Sequence, residues 1–368
     1  MQSNGSALGG SATSLEVRYT GKPVSGWGGL VAVMRYLEKR GVRQVLAQAL
    51  PDGRTSPNQI PVLDIALALF ATVLTGGRRF AHLERLRSDD VVQAILGVAR
   101  MPSAMTLTRY FGGLVRSQIE HLSEVLSQFG LRRLRAPALG AVLDLDSTVF
   151  ERYGHQQGSL KGYNPRQHGR PSHPPLLAML AEAKLVLHAW LRSGNTASAR
   201  GVIAFLAETL AKLPDGFRLY ALRADSGFFV TEFLVELERR TLPYAIAVRM
   251  NPHLRRTVAG IRQWTPFAHG LEAAETSYQA YGWQAPRRLV VVREVLRERP
   301  QARGRKLLEV PGYTFHVLAP PSTTTRCRPG ASTTAAPRAK TASRNSSKTL
   351  APTAFVSIPS MAPKPPTA

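Results

Sequence analysis

The chain has 368 residues, 44% hydrophobic and 20% charged, a composition that suits a globular protein of two or three domains and excludes a largely disordered one. Lys and Arg number 48 against 24 Asp and Glu, giving a formal charge of +24 and a pI near 11.1, as expected of a phosphate-backbone binder. The C-terminus does not account for the excess: residues 319–368 hold seven basic residues and no acidic one, which leaves residues 1–318 with 41 against 24, or +17.

The single cysteine, Cys327, excludes an internal disulfide framework and a cysteine-rich zinc module, and suits a reducing compartment. Met1 to Ser14 is small and polar, without the apolar segment of a signal peptide. The longest apolar run, Ile60 to Leu74, is broken by Pro61 and Asp64 and is too short to span a bilayer. The expectation is a cytoplasmic protein with no membrane partner.

After a Gly/Ser-rich start (residues 1–26), residues 27–136 carry apolar stripes at helical spacing: Leu30-Val31-Met34-Leu37, Val62-Ile65-Leu69-Val73, Val91-Val92-Ile95-Leu96, and Leu114 to Phe129. Gly76-Gly77 and Pro102 punctuate them. This region is predicted to be all-α. Arg78, Arg79, Arg85, Arg87 and Arg109, then Arg132, Arg133 and Arg135, spread positive charge across it, which favours a DNA-contacting domain over a merely solvated bundle.

At Pro137 the period changes. Ala141 to Phe150 has strand alternation, and that alternation puts Asp144 and Asp146 on one face. A polar loop, Gly154 to Pro174, follows. Leu176 to Lys184 and Leu185 to Arg192 read as strands, Thr196 to Leu213 as a helix, and Arg218 to Ala224 as a strand delivering Asp225. Phe228 to Arg239 is a helix and Tyr244 to Val248 a strand. Three strands, helix, strand, helix, strand is the order of a ribonuclease H-like sheet, so residues 137–250 are predicted to form an α/β core of that kind, a mixed sheet flanked by helices. Val290-Val291-Val292 and Phe315-Val317-Leu318 suggest a β-rich insertion, or a continuation of the core, over residues 251–318. Residues 319–368 are Pro/Ser/Thr/Ala-rich without apolar period and are expected to be a disordered basic tail.

An acidic residue inside an apolar β-run is costly unless paired or metal-bound, so Asp144, Asp146 and Asp225 need a partner. Phosphodiester cleavage supplies one, since two divalent metals about 3.5–4 Å apart require carboxylate ligands. The bland alternative is that Asp225-Ser226-Gly227 merely caps a turn. Lys161, Tyr163, Arg166, His168 and Arg170 lie on the loop after the first strand, where they are expected to track a DNA backbone and stack on an exposed base. His155, His168, His173 and His188 lack metal-ligand spacing with a cysteine, which argues against zinc.

Four segments, Asp144-Leu145-Asp146-Ser147-Thr148, Lys161-Gly162-Tyr163-Asn164-Pro165, Leu191-Arg192-Ser193-Gly194-Asn195 and Arg223-Ala224-Asp225-Ser226-Gly227-Phe228, resemble in order and spacing the DDE domain group 1 transposases of bacterial insertion sequences, in particular the insertion-sequence 1380 family. The resemblance runs from about Trp27 to Leu318. It implies DNA cleavage and joining at element ends, with Mg²⁺ or Mn²⁺ as cofactor and double-stranded DNA, both transposon ends and target, as partner. A nucleoid-associated protein, working as a homodimer on DNA, is compatible with it. Mapped residue by residue, the first catalytic Asp falls on Asp146 with Asp144 in reserve, and the second on Asp225; Asp146 and Asp225 are the implied metal ligands. Arg192 and Arg223 join the loop residues as implied DNA contacts.

The same family carries a catalytic Glu in a late Y-x2-R-x3-E-x6-K signature, and this chain has no such pattern. Reading one base earlier, the codons of Thr333, Ala336, Lys340 and Ser347 permit Tyr, Arg, Glu and Lys at the spacing required. A frame change between about Val317 and Thr325 is the expectation drawn from this. Its consequence would be a polypeptide with little or no activity, and the rival reading is a non-catalytic DNA-binding remnant or regulator. A nuclease unrelated to transposition would instead need Glu232 or Glu236 to complete its site.

Overall fold

A computed structural model describes residues 23–53, 56–135, 137–154, 156–164, 167–295 and 313–320, and the chain divides into two compact units, residues 1–129 and 130–368. His155, Arg166 and residues 321–368, Cys327 included, for which expectations are stated above, lie outside the described residues.

The first unit is helical: α1 Leu30–Lys39, α2 Val42–Ala49, α3 Val62–Leu74, α4 Glu84–Arg87, α5 Asp90–Leu96, α6 Ala104–Gly112 and α7 Arg116–Leu131, the last running across the boundary. α3 is apolar nearly all round and is the centre of this unit, with Ile65, Leu67, Ala68 and Ala71 buried against Leu83, Leu86, Val92, Leu96 and Leu107. α5 starts where the Asp89 carboxylate accepts from the Val92 N–H at 3.1 Å, and α6 where the Ser103 hydroxyl accepts from the Thr106 N–H at 3.1 Å. α2, α4 and α6 were not read from the sequence; α4 is a single turn, too short to display an apolar period.

The second unit is built on one nine-stranded sheet. Its strands are β1 Ala141–Ser147, β5 Leu176–Leu180, β6 Leu185–Trp190, β7 Leu219–Ala224, β8 Tyr244–Ala247, β9 Thr265–Ala268, β10 Leu271–Tyr278, β11 Arg287–Val295 and β12 Tyr313–Ala319, in the order β6-β5-β1-β7-β8-β12-β11-β10-β9. β1 pairs antiparallel with β5, and β5 with β6, whereas β1–β7 and β7–β8 are parallel. This is the ribonuclease H-like arrangement. Parallel neighbours require crossovers, and helices α8 Val202–Ala211 and α9 Thr231–Arg239 supply them. Phe205, Leu206, Phe233, Leu234 and Leu237 from these helices pack on Leu143, Leu145, Leu222 and Ile246 of the sheet. Strands β9 to β12 extend the same sheet beyond β8, with Leu318 opposite Ala247 and Ala319 opposite Ile246, and a tenth helix, α10 Pro252–Ala259, precedes them.

Two local expectations are corrected. The polar loop 154–174 holds two short strands, β3 Leu160–Lys161 and β4 Pro171–His173, which join β2 Phe150–Glu151 in a separate three-stranded sheet ordered β2-β4-β3. Strands of two or three residues leave no period to detect. The helix expected from Thr196 begins only at Val202, because Gly201 takes a left-handed φ of +78° and the carbonyls of Ala197, Ser198 and Arg200 turn toward a buried arginine.

Candidate active site

Two carboxylates meet at one edge of the sheet. The parallel β1–β7 register pairs Asp144 with Arg223 and Leu145 with Ala224, so the next positions, Asp146 and Asp225, lie side by side where both strands end. Leu143 and Leu145 point into the core, and alternation sends Asp144 and Asp146 to the other face. Both Asp146 and Asp225 reach solvent. The ionisation of Asp225 is nonetheless held back: the protein packed around it raises its pKa, the Gly227 N–H donated at 2.9 Å opposes this, and the negative charge of Asp146 adds to the rise. Asp225 does cap the short turn Ser226–Phe228, as the bland reading expected, yet only Oδ1 is used for it. A pair of open carboxylates with one ionisation opposed by the other fits a shared divalent cation, whose charge would relieve the repulsion.

Asp144 is differently placed. Arg223 Nε and Nη2 donate to its two oxygens at 2.5 and 2.6 Å, a bidentate pair with only a quarter or less of either side chain exposed. This corrects both expectations at once. Asp144 is occupied by a guanidinium in place of a metal, and Arg223, expected as a DNA contact, gives Nε and Nη2 to it.

Arg192 is also corrected. It is 8% exposed, and its guanidinium donates to the carbonyls of Pro174 (3.0 Å), Ala197 (3.2 Å), Ser198 (2.9 Å) and Arg200 (3.2 Å) and to the Ser147 hydroxyl (2.8 Å). Burial lowers its pKa. All three guanidinium nitrogens are thus engaged by the protein. What the geometry offers instead is positioning of both carboxylates: Ser147 follows Asp146 on β1, and Ser198 packs against Gly227, where an added Cβ would lie 2.9 Å from the serine side chain. Ser147 is part of the first family-like segment, whereas Ser198 was not singled out from the sequence; its only signal was its nearness to the Leu191–Asn195 segment.

The second and third family-like segments explain one another. A Cβ on Gly162 would collide with the Gly194 carbonyl, and one on Gly194 with the Leu160 and Ser172 carbonyls, while the Gly194 N–H donates to Gly158 O at 3.1 Å. The two backbones touch, and only glycine permits it. On the small sheet that results, Lys161 and Tyr163 are exposed, as is His168 in the turn beside it, and Arg170 lies over the Tyr153 ring at 4.4 Å. His173 is engaged by Arg152 and the Gln157 carbonyl, and His188 by Glu208 and the Phe205 ring.

Among the described residues, no three His, Cys, Asp or Glu side chains are gathered as a metal site would need. Glu236 is bound by Arg239 and Arg240 at 2.7 and 2.5 Å, and the Arg239 hydrogen bond foremost holds its pKa down to about 2. Glu232 lines a separate cavity. Neither completes the Asp146–Asp225 pair.

No curated protein matches the chain. Among solved structures, a piggyBac transposase synaptic complex with hairpin DNA, determined by cryo-EM, is similar at 13% identity and a TM-score of 0.40, covering 81% of this chain. The chain spans 60% of that transposase's length. The family model of the transposase DDE domain group 1 matches residues 9–303, most of the sequence and all four of the segments described above, and the chain belongs to that family.

Proposed function

We propose that this chain derives from the transposase of a bacterial insertion sequence, which cleaves and joins DNA at element ends with Mg²⁺ or Mn²⁺ held by Asp146 and Asp225. The side-by-side placement of these carboxylates at the ends of β1 and β7 carries the reading. A bound divalent pair would activate the attacking oxygen and stabilise the leaving one. The chain's own residues do the rest: the Asp144–Arg223 pair sets the strand register beneath the site, Arg192 holds the two carboxylate-bearing segments, and Lys161, Tyr163, His168 and Arg170 line the approach of the strand. Further DNA contact is supported by Arg78, Arg79, Arg85, Arg87 and Arg109 in the first unit, all exposed.

Catalysis by this polypeptide alone should be slight. Two carboxylates hold a second metal poorly, and the family's third, a Glu, has no counterpart among the described residues. β12 pairs with β8 through Ala319, which supports a frame change after that residue and not before it. The second reading, a DNA-binding remnant or regulator, is favoured by the same missing carboxylate together with the +17 charge of residues 1–318.

Nicking of an end-containing duplex with Mg²⁺ tests this. The chain should bind DNA in a salt-dependent way without nicking it, and a chain continued in the neighbouring frame after Ala319 should nick, with Asp225→Ala abolishing the activity. Robust nicking by the present chain, lost in Asp225→Ala, would overturn the inactivity. A neighbouring frame without a Glu-bearing helix would remove the frame change.

A further inference from the structure

A cavity of about 730 Å³ opens beside the carboxylate edge, within the size range of small-ligand sites. β7 and β8 are parallel, so they end at the same side of the sheet, where open α/β sheets bind ligands. Asp225 follows β7, and the cavity wall is formed by Phe229 just beyond it and by the segment Val248–Pro252 that follows β8.

The wall is chemically divided. One side presents Arg249 and Arg255, neither of which makes an ion pair or side-chain hydrogen bond among the described residues, and Arg255 Nε is buried with no acceptor. Such an atom costs stability until an acceptor arrives. Glu232 is the single carboxylate on the wall and pairs with neither arginine. The other side is aromatic and rigid: Trp283 packs edge-on to Tyr278 at 5.9 Å and to Phe229 at 5.7 Å, its Nε1 donates to Thr231 Oγ1 at 2.9 Å, and Asn251 Nδ2 donates to the Tyr278 hydroxyl at 3.0 Å. The indole N–H and the Tyr278 hydroxyl thus have partners within the protein, and Arg287 lies over the Trp283 ring at 4.6 Å.

Two unpaired guanidiniums facing a fixed aromatic wall suit a phosphate with an attached sugar: the forked donors take the oxygens and the rings take the ribose. We propose that this cavity is a phosphate subsite, with Arg249 and Arg255 as its ligands, and that its occupant is a backbone phosphate of the DNA strand passing Asp225. The choice of DNA as the source rests on the transposase reading, whereas the phosphate chemistry rests on the cavity.

The test uses the full chain in EDTA, so that it is independent of cleavage. Binding of a labelled duplex is measured by anisotropy over a salt series for the wild type, Arg255→Gln, Arg249→Gln/Arg255→Gln, and Arg262→Gln, an exposed arginine outside the cavity. Arg255→Gln should weaken binding roughly fivefold to tenfold and lower the salt slope by about one, with Arg262→Gln changing little. In parallel, the melting temperature is followed with millimolar dAMP or inorganic phosphate. Stabilisation of the wild type but not of the double variant, with duplex binding unaltered, would keep the phosphate site and reassign its source to a free nucleotide. Well-folded variants that match the wild type in both assays would overturn the proposal. A failure of the frame-restored chain to nick DNA would refute the transposase reading while leaving these results standing.

Discussion

Asp146 and Asp225 sit at matching positions on adjacent parallel strands, so each carboxylate lies in the field of the other. The arrangement is unfavourable in the absence of a cation. That cost is what a metal-binding function would offset.

Asp225→Asn should therefore stabilise the protein at neutral pH, because the amide keeps an oxygen for the Gly227 cap and removes a charge that its surroundings desolvate and Asp146 repels. The folded pKa of Asp225 lies above its ordinary value of 3.8, so between those two values the folded state binds more protons than the unfolded one. The penalty of its ionisation is thus absent below the unfolded value and sets in as pH rises through the folded one. Urea melts should show the variant's gain at pH 7 and none near pH 3; destabilisation at pH 7 would contradict this.

Arg192→Ala would strand the buried carbonyl of Pro174 and the partly buried ones bonded at Ala197 and Ser198, and is expected to cost on the order of 3 kcal/mol. Arg192→Lys should recover little, since a point charge cannot meet oxygens spread around a planar fork. Equilibrium denaturation of both variants checks the point. A lysine variant as stable as the wild type would return Arg192 to the pool of DNA contacts.

The Asp144–Arg223 pair should behave as a unit. A double-mutant cycle with Asp144→Asn and Arg223→Gln is expected to give a coupling of about 1–2 kcal/mol, above an exposed pair and below a fully buried one. No coupling would mean that the two side chains do not hold the β1–β7 register.

Gly194→Ala should disturb the β2-β4-β3 sheet without unfolding the nine-stranded one, because the collisions it creates are with the Leu160 and Ser172 carbonyls. Limited proteolysis should find faster cleavage between residues 152 and 174, and hydrogen exchange should rise there and not in β1 or β7. Uniform loss of protection would show that the small sheet is not a separate element.

Much of the site was legible because strand alternation is a local property. Asp144 and Asp146 share a face whatever surrounds them, and apolar runs punctuated by glycine and proline were enough to order the strands β1, β5, β6, β7 and β8. Shorter pieces escaped, as with β2, β3 and β4, since two or three residues hold too little period to stand out. Side-chain roles escaped for another reason. A sequence displays Arg192, Arg223 and Arg170 as equivalent cations, but burial places the first among carbonyls, strand register gives the second to Asp144, and the third stacks on Tyr153.

The sequence by itself determined the basic charge, the helical first unit, the strand that carries two carboxylates and the family-like segments, all of which depend on neighbours along the chain. Only the tertiary structure decided which of those carboxylates remains open, which arginines are engaged by the protein, and that strands β9 to β12 continue the main sheet. Pairing across strands and desolvation are set by residues tens of positions apart, and no local pattern encodes them.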